Sequence, residues 1–230
     1  MYMLPGDRAG TPVVETCGLN GHQFALAQFI NDDVRALLPE DGVLIQKKYL
    51  AELKKWLTAD EIELAISDKR LFFRTGDQTE TFSLPLSYYQ YPNFRNFLAK
   101  LGEPDVSSLS VSRQEMEQAL ERLLIFNTDS NRCAYFQITP GELTLFSQGQ
   151  EMGSATESME CTFSGELDKI AFPTKNLIDI LGHLESSEVQ FILTGTEAPC
   201  GITGKEDQDY QVILMPMMIQ DETYYTEEDA

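Results

Sequence analysis

The sequence predicts an α+β fold in which single amphipathic helices pack on one side of short-stranded sheets. Three observations predict it. A β-α-β-β-β pattern recurs along the chain. Each helix in the pattern is apolar on one face only. Each helix is followed by strand-like runs separated by Gly-, Pro- or Asn-bearing turns.

The earliest readable element is TPVVETCGLNGHQFALAQF (Thr11–Phe29), two strands joined at Asn20–Gly21, a strong hairpin signal. It matches only the last part of a repeat. The opening strand and helix of that repeat are missing, so the N-terminal half-domain is expected to be truncated, with an exposed sheet edge within Met1–Ile30. The first full repeat starts with VLIQKKYLAELKKWL (Val43–Leu57), a short strand running into a helix with Leu50, Leu53 and Leu57 on one face. IELAISD, RLFFRTG and TETFSLPL follow as three strands.

The second repeat begins at LSVSRQEMEQALERLL (Leu109–Leu124), whose apolar face is Met116, Leu120 and Leu123. Its strands are CAYFQIT, ELTLFSQ and ATESMECTFS, with a turn at Pro140–Gly141. The third begins at IAFPTKNLIDILGHL (Ile170–Leu184), with Leu177, Leu181 and Leu184 on one face, followed by EVQFILTG, CGIT and YQVILMPMMI. GEPDVSS (Gly102–Ser108) reads as a linker, which divides the chain into 1–104, 105–219 and an acidic tail 220–230. Proline has no N–H for a β-ladder, so the last strand must end, or lie on an edge, at Met215–Pro216.

Composition bounds the function. With 37 acidic against 17 basic residues the formal net charge is −20, the wrong sign for a simple nucleic-acid-binding domain. The basic residues are unevenly placed. Lys47, Lys48, Lys54 and Lys55 share the first helix region with a single acid, Glu52. No apolar run reaches the ~20 residues a membrane helix needs, and MYMLPGDRAG lacks the order of a signal peptide. A cytoplasmic protein is expected. Cys17, Cys133, Cys161 and Cys200 are widely separated and read as free thiols. The two histidines, His22 and His183, lack the cysteine or carboxylate company of a zinc site. No spacing isolates an acid–base pair, an activated nucleophile or a phosphate loop. The expectation is a non-catalytic protein without cofactor or metal.

The repeats, the hairpin LNGHQFAL, the connector YPNFRNFL and the terminal VILMPMM together resemble the β sliding clamp of bacterial DNA polymerase III, up to Ile219. The resemblance implies DNA clamp (processivity-fold) domains with sheets outside and helices inside. It also implies a ring of two chains around duplex DNA, and a processivity factor that docks polymerase, clamp loader and repair proteins. This chain corresponds to part of the middle domain and all of the last. Ring closure in the family uses the first domain, so closure by this chain alone is not expected. The alternative is a clamp-derived peptide-binding adaptor that never encircles DNA.

The resemblance further implies a groove for short peptides. By position it uses Leu19, Gly21, His22 and Phe24 from the hairpin, and Pro92 and Phe97 from the connector. Pro199, Ile213, Met215, Pro216 and Met217 come from the last repeat. Lys47, Lys48, Lys54, Lys55, Arg113 and Lys175 are implied to face DNA. A ring retains DNA by topology, so a few local lysines suffice; charges beyond ~8 Å are screened at physiological salt, and phosphate contacts read no bases. The sequence departs from the family at Gln23, Asn96 and Met218, where basic residues are common.

Overall fold

The structure, a computed structural model, describes residues 1–58, 61–128, 131–149 and 153–219. The acidic tail expected at 220–230 lies outside the described residues. The chain divides into two compact units, one of residues 1–96 with 208–212, the other of 97–207 with the residues from Ile213 onward.

The second unit holds two β-α-β-β-β repeats. One consists of β8 (Ser107–Ser112), α4 (Arg113–Leu124), β9 (Cys133–Thr139), β10 (Glu142–Gly149) and β11 (Gly153–Ser164). The other consists of β12 (Lys169–Pro173), α5 (Thr174–Leu181), β13 (Glu188–Leu193), β14 (Cys200–Gly204) and the end of β15 (Tyr210–Leu214). The sheet runs β12-β9-β10-β11-β8-β13-β14. Each repeat lends its opening strand to the other: β8 pairs with β13 and β12 with β9, both antiparallel.

The alternation of the strands builds the core. Leu109 and Val111 of β8, Phe136 and Ile138 of β9, and Val189, Phe191 and Leu193 of β13 are buried at every second position. Phe136 meets Phe172 edge-on at 5.2 Å and Phe191 at 6.1 Å. α4 and α5 pack on each other. Met116, Leu120 and Leu123 on one and Leu177, Ile180 and Leu181 on the other are all buried. Ser112 caps α4 by accepting the amide of Glu115. At the close of the helix layer, the Asn127 side chain donates to Thr174 Oγ1 and accepts from Ser147 Oγ, both at 2.8 Å, so these polar groups inside the fold are satisfied.

The first unit contains β1 (Tyr2–Arg8), β2 (Thr11–Leu19), β3 (Gln23–Phe29), α1 (Asp32–Leu37), β4 (Val43–Leu44), α2 (Lys47–Trp56), β5 (Ile62–Ile66), β6 (Arg70–Thr75) and β7 (Thr81–Pro85). α3 (Arg95–Lys100) follows in the connector. One sheet has the order β3-β2-β1-β4 and a second the order β5-β6-β7. The pairing of β4 with β1 repeats the strand exchange of the second unit.

Three features of this unit differ from the sequence expectation. Three strands, not two, precede the first full repeat, because β1 forms despite Pro5 and Gly6. The expected exposed edge in Met1–Ile30 is not found: β1 is paired on both sides, and the Met1 amine donates to the Ile45 carbonyl at 2.7 Å. The backbone N–H of Gln28 on β3 donates to the carbonyl of Asp209. Finally, α1 has no counterpart in the sequence expectation. It is capped by the Asn31 side chain, and its Val34, with Leu38 just after the helix, packs in the core around Leu53, Leu71 and Phe73.

All four cysteines are free thiols, and burial raises the pKa of each. Cys17 is pushed to about 12, chiefly by burial and then by the nearby Glu15 carboxylate.

Asp207 ties two loops of the second unit together. Its carboxylate accepts the amides of Glu185 and Ser186 at 3.0 and 3.1 Å and the Ser186 hydroxyl at 2.5 Å. Burial opposes the charged form, but these hydrogen bonds and the Arg113 charge outweigh it and hold the pKa below its usual value. A depressed folded pKa stabilises the fold above the unfolded value, about 3.9, and that contribution is lost as pH falls through the folded value. Asp207→Asn is therefore expected to lower stability at pH 7 by about 1–3 kcal/mol, the scale of a broken buried hydrogen-bond set. The gap between wild type and variant should narrow below about pH 4; urea unfolding at stepped pH measures it.

Candidate functional site

The hairpin joining β2 and β3 turns where the sequence predicts. Asn20 Oδ1 accepts the amides of His22 and Gln23, and Gly21 takes φ +90°, a backbone region that favours glycine. Leu19, Gly21 and His22 are exposed around this tip. Phe24 is not. It is 2% exposed and stacks on Phe94 at 5.2 Å, sharing the buried face with Leu26 two residues on. It supports the hairpin from beneath and lines no surface, which corrects the position-based expectation.

The connector runs along the same unit. Pro92 is exposed. Tyr91 stacks on Tyr2 at 4.6 Å, and burial raises the Tyr91 pKa to about 12. Beneath the connector lies a pair that the sequence pattern does not single out. Glu15 on β2 has no exposed surface, and its two carboxylate oxygens accept Nη1 of Arg95 at 3.0 Å and Nη2 at closer range. Gln28 Nε2 adds a third hydrogen bond at 3.0 Å. One signal for it is present in the sequence. Glu15 interrupts the apolar run VVETC on the same alternation as buried Val13 and Cys17, and a buried carboxylate requires a partner. That partner lies 80 residues away, beyond the reach of local pattern.

In the second unit β15 ends at Leu214, just before Met215–Pro216, as the missing proline N–H requires. The backbone then continues pinned, with the Met217 amide donating to the Ala171 carbonyl of β12 at 2.8 Å. Met215 and Pro216 are half-buried, and Met217 is 43% exposed. Ile213 is 4% exposed and belongs to the core, a second correction. Phe97 and Pro199 are half-buried, and the Pro199 carbonyl accepts the Thr194 hydroxyl at 2.8 Å.

The basic residues separate into two kinds. Lys47, Lys48, Lys54 and Lys55 lie along α2, and Lys175 lies on α5; all five are exposed. Lys48 lies 4.8 Å from the Tyr49 ring centre and Lys55 3.3 Å from Glu52, contacts that leave both ammonium groups in solvent. Arg113 is different. Its guanidinium donates to the Ser186 carbonyl at 2.8 Å and to Glu117 at 3.2 Å, so it ties α4 to the loop before β13 and is not a free DNA-facing charge. Among the described residues, no group of three or more His, Cys, Asp and Glu could hold a metal ion, and no helix is long and apolar enough to cross a membrane.

Residues 103–218 match the model of the family DNA polymerase III beta subunit, C-terminal domain. The chain belongs to the DNA polymerase III beta subunit family.

Relatives extend the likeness over both units. The beta sliding clamp of Caulobacter vibrioides is 21% identical over 221 residues, 95% of this chain and 58% of the relative. That of Pseudomonas aeruginosa is 24% identical over 220 residues, covering 94% and 57%. This chain thus spans a little over half the length of the curated relatives it matches. Among solved structures, the sliding clamp from Bartonella birtlesii bound to griselimycin is 25% identical with a TM-score of 0.83, covering 95% of this chain and 57% of that one. The beta subunit from Thermotoga maritima shares the fold at 20% identity and a TM-score of 0.79, covering 95% and 57%. The clamp fold that the resemblance implies is therefore the fold of this chain.

The two kinds of basic residue should behave differently. Arg113→Ala is expected to cost about 1–3 kcal/mol of stability, through lost hydrogen bonds to a part-buried loop. Lys54→Ala with Lys48→Ala should change it by less than about 0.5 kcal/mol, as exposed positions do. Chemical denaturation of the full chain compares them directly.

Proposed function

We propose that this chain serves as the peptide-docking and DNA-holding part of a sliding clamp, a non-catalytic processivity factor of the replicative polymerase. The observation that carries the reading is the terminal segment Met215–Pro216–Met217. It leaves the sheet at a proline and is held by the backbone hydrogen bond from Met217 to Ala171, with the Met217 side chain partly in solvent. Methionine side chains repack readily, which suits a surface that accepts related but unequal peptides. Phe97 and Pro199 of the same unit are proposed as further contacts; on the first unit, Leu19, Gly21 and His22 at the hairpin tip and Pro92 on the connector are candidate contacts in their own right. One buried Leu or Phe anchor from a peptide contributes roughly 1.5–3 kcal/mol. Two anchors with a few hydrogen bonds correspond to a micromolar site, about −8 kcal/mol.

The partners proposed are the polymerase III alpha subunit, the clamp loader and other proteins carrying the same short motif. Duplex DNA is the second partner, met through phosphates alone. Support for it comes from the four lysines of α2 beside a single acid in a chain of net charge −20. Lys175 adds a further exposed charge on α5.

The test is titration of a fluorescent short peptide of the glutamine-plus-hydrophobic type into the full chain and into Met215→Ala/Met217→Ala. Saturable binding near micromolar is expected, weakened about tenfold or more by the double change, as loss of apolar contact of this size implies. Absence of binding by the folded wild-type chain would sink the docking reading.

A further inference from the structure

The Glu15–Arg95 pair joins two segments of the first unit that the docking reading uses, and the role inferred for the pair rests on that reading. Glu15 lies four residues before Leu19 on β2, and Arg95 three residues after Pro92 on the connector. Between β7 and α3 the connector is unevenly packed: Tyr88 and Tyr89 are 77% and 79% exposed, whereas Phe94 is buried. The Tyr2–Tyr91 and Phe24–Phe94 stacks hold it to the sheet, but ring stacks define direction loosely. A bidentate guanidinium–carboxylate contact fixes both distance and orientation.

The surroundings are shaped to this one carboxylate. On neighbouring β1, a Cβ at Gly6 would lie 2.5 Å from Cδ and Cγ of Glu15, so only glycine leaves the side chain its room. On β3, Gln28 faces Glu15 across the ladder and donates to it. The guanidinium in turn sits 4.7 Å from the ring centre of Phe94, the residue packed under the hairpin. Strands β1 and β3 and the connector therefore meet at Glu15.

We infer that Glu15 and Arg95 are positioning residues for peptide docking, setting the place of Pro92 relative to the hairpin tip Leu19–His22. Neither touches the peptide. They act by holding the connector in one register against β2.

The experiment uses the full chain and the same labelled peptide. Glu15→Gln and Arg95→Lys each keep side-chain size while losing the bidentate charge pair. Both are expected to weaken peptide affinity about fivefold to tenfold while the chain stays folded. The double variant should be no weaker than the worse single change, since both remove one contact. Gly6→Ala displaces the carboxylate without changing any charge and should act in the same direction. Arg74→Lys, in the exposed Arg74–Glu63 pair of the same unit, should leave affinity unchanged.

Lowered melting temperature with wild-type affinity in both pair variants would overturn the inference and leave the pair a structural tie. If Met215→Ala/Met217→Ala weakens binding while the pair variants do not, docking stands and this inference alone falls. If the folded wild-type chain binds no peptide, the docking reading fails first and the inference falls with it. Should Glu15→Gln not fold, Arg95→Lys carries the test, because the Arg95 side chain is 49% exposed and its replacement leaves the core intact.

Discussion

A single β-α-β-β-β repeat cannot close on itself, and the architecture follows from that constraint. The opening strand of each repeat has a ladder partner in another repeat: β8 on β13, β12 on β9, β4 on β1. This exchange brings two one-sided helices over one sheet, so that α4 and α5 bury their apolar faces against each other and the strands together. Burying such a face is worth roughly 1.5–3 kcal/mol per large side chain, which no lone repeat could collect. It also leaves the loops, where function concentrates, on a scaffold fixed by long-range pairing.

Where loops meet that scaffold, the chain uses charged or multiply hydrogen-bonded groups. Asp207 gathers two amides and a hydroxyl from the loop before β13. Asn127 links the end of α4 to the start of α5 and to β10. Glu15 gathers a guanidinium and an amide from the connector and β3. Apolar contacts tolerate sliding and repacking, whereas these groups must find all their partners or leave a buried polar atom unmet. Each therefore selects one arrangement among several that the apolar core alone would permit.

Much of this is legible in the sequence because it is periodic. The helix faces at Met116, Leu120 and Leu123 and at Leu177 and Leu181 are buried as their 3.6-residue spacing implies. The missing proline N–H marks the end of β15, and Asn20–Gly21 marks the hairpin. The rest is hidden for identifiable reasons. β1 contains Pro5 and Gly6, residues of low strand propensity, yet it lies between two strands that supply its pairing. α1 is only six residues long, too short for a periodic signal. A family pattern puts Phe24 and Ile213 on a surface, although both sit within apolar runs whose side chains face the core. For Arg113 the sequence reports only the i,i+4 neighbour Glu117; its other acceptors, the Ser186 and Leu181 carbonyls, are 73 and 68 residues distant and belong to the backbone, which no side-chain pattern reports.

The terminal methionines have a chemical consequence beyond packing. Met217 is 43% and Met218 71% exposed, whereas Met116 has no exposed surface. Peroxide reaches accessible thioethers first, and each sulfoxide turns a flexible apolar side chain into a polar, chiral one. Oxidation would therefore alter the surface at Met217 and Met218 while sparing the core. The segment that leaves the sheet at Pro216 thus carries, among the described residues, the thioethers most open to oxidation, a change of the kind that sulfoxide reductases reverse.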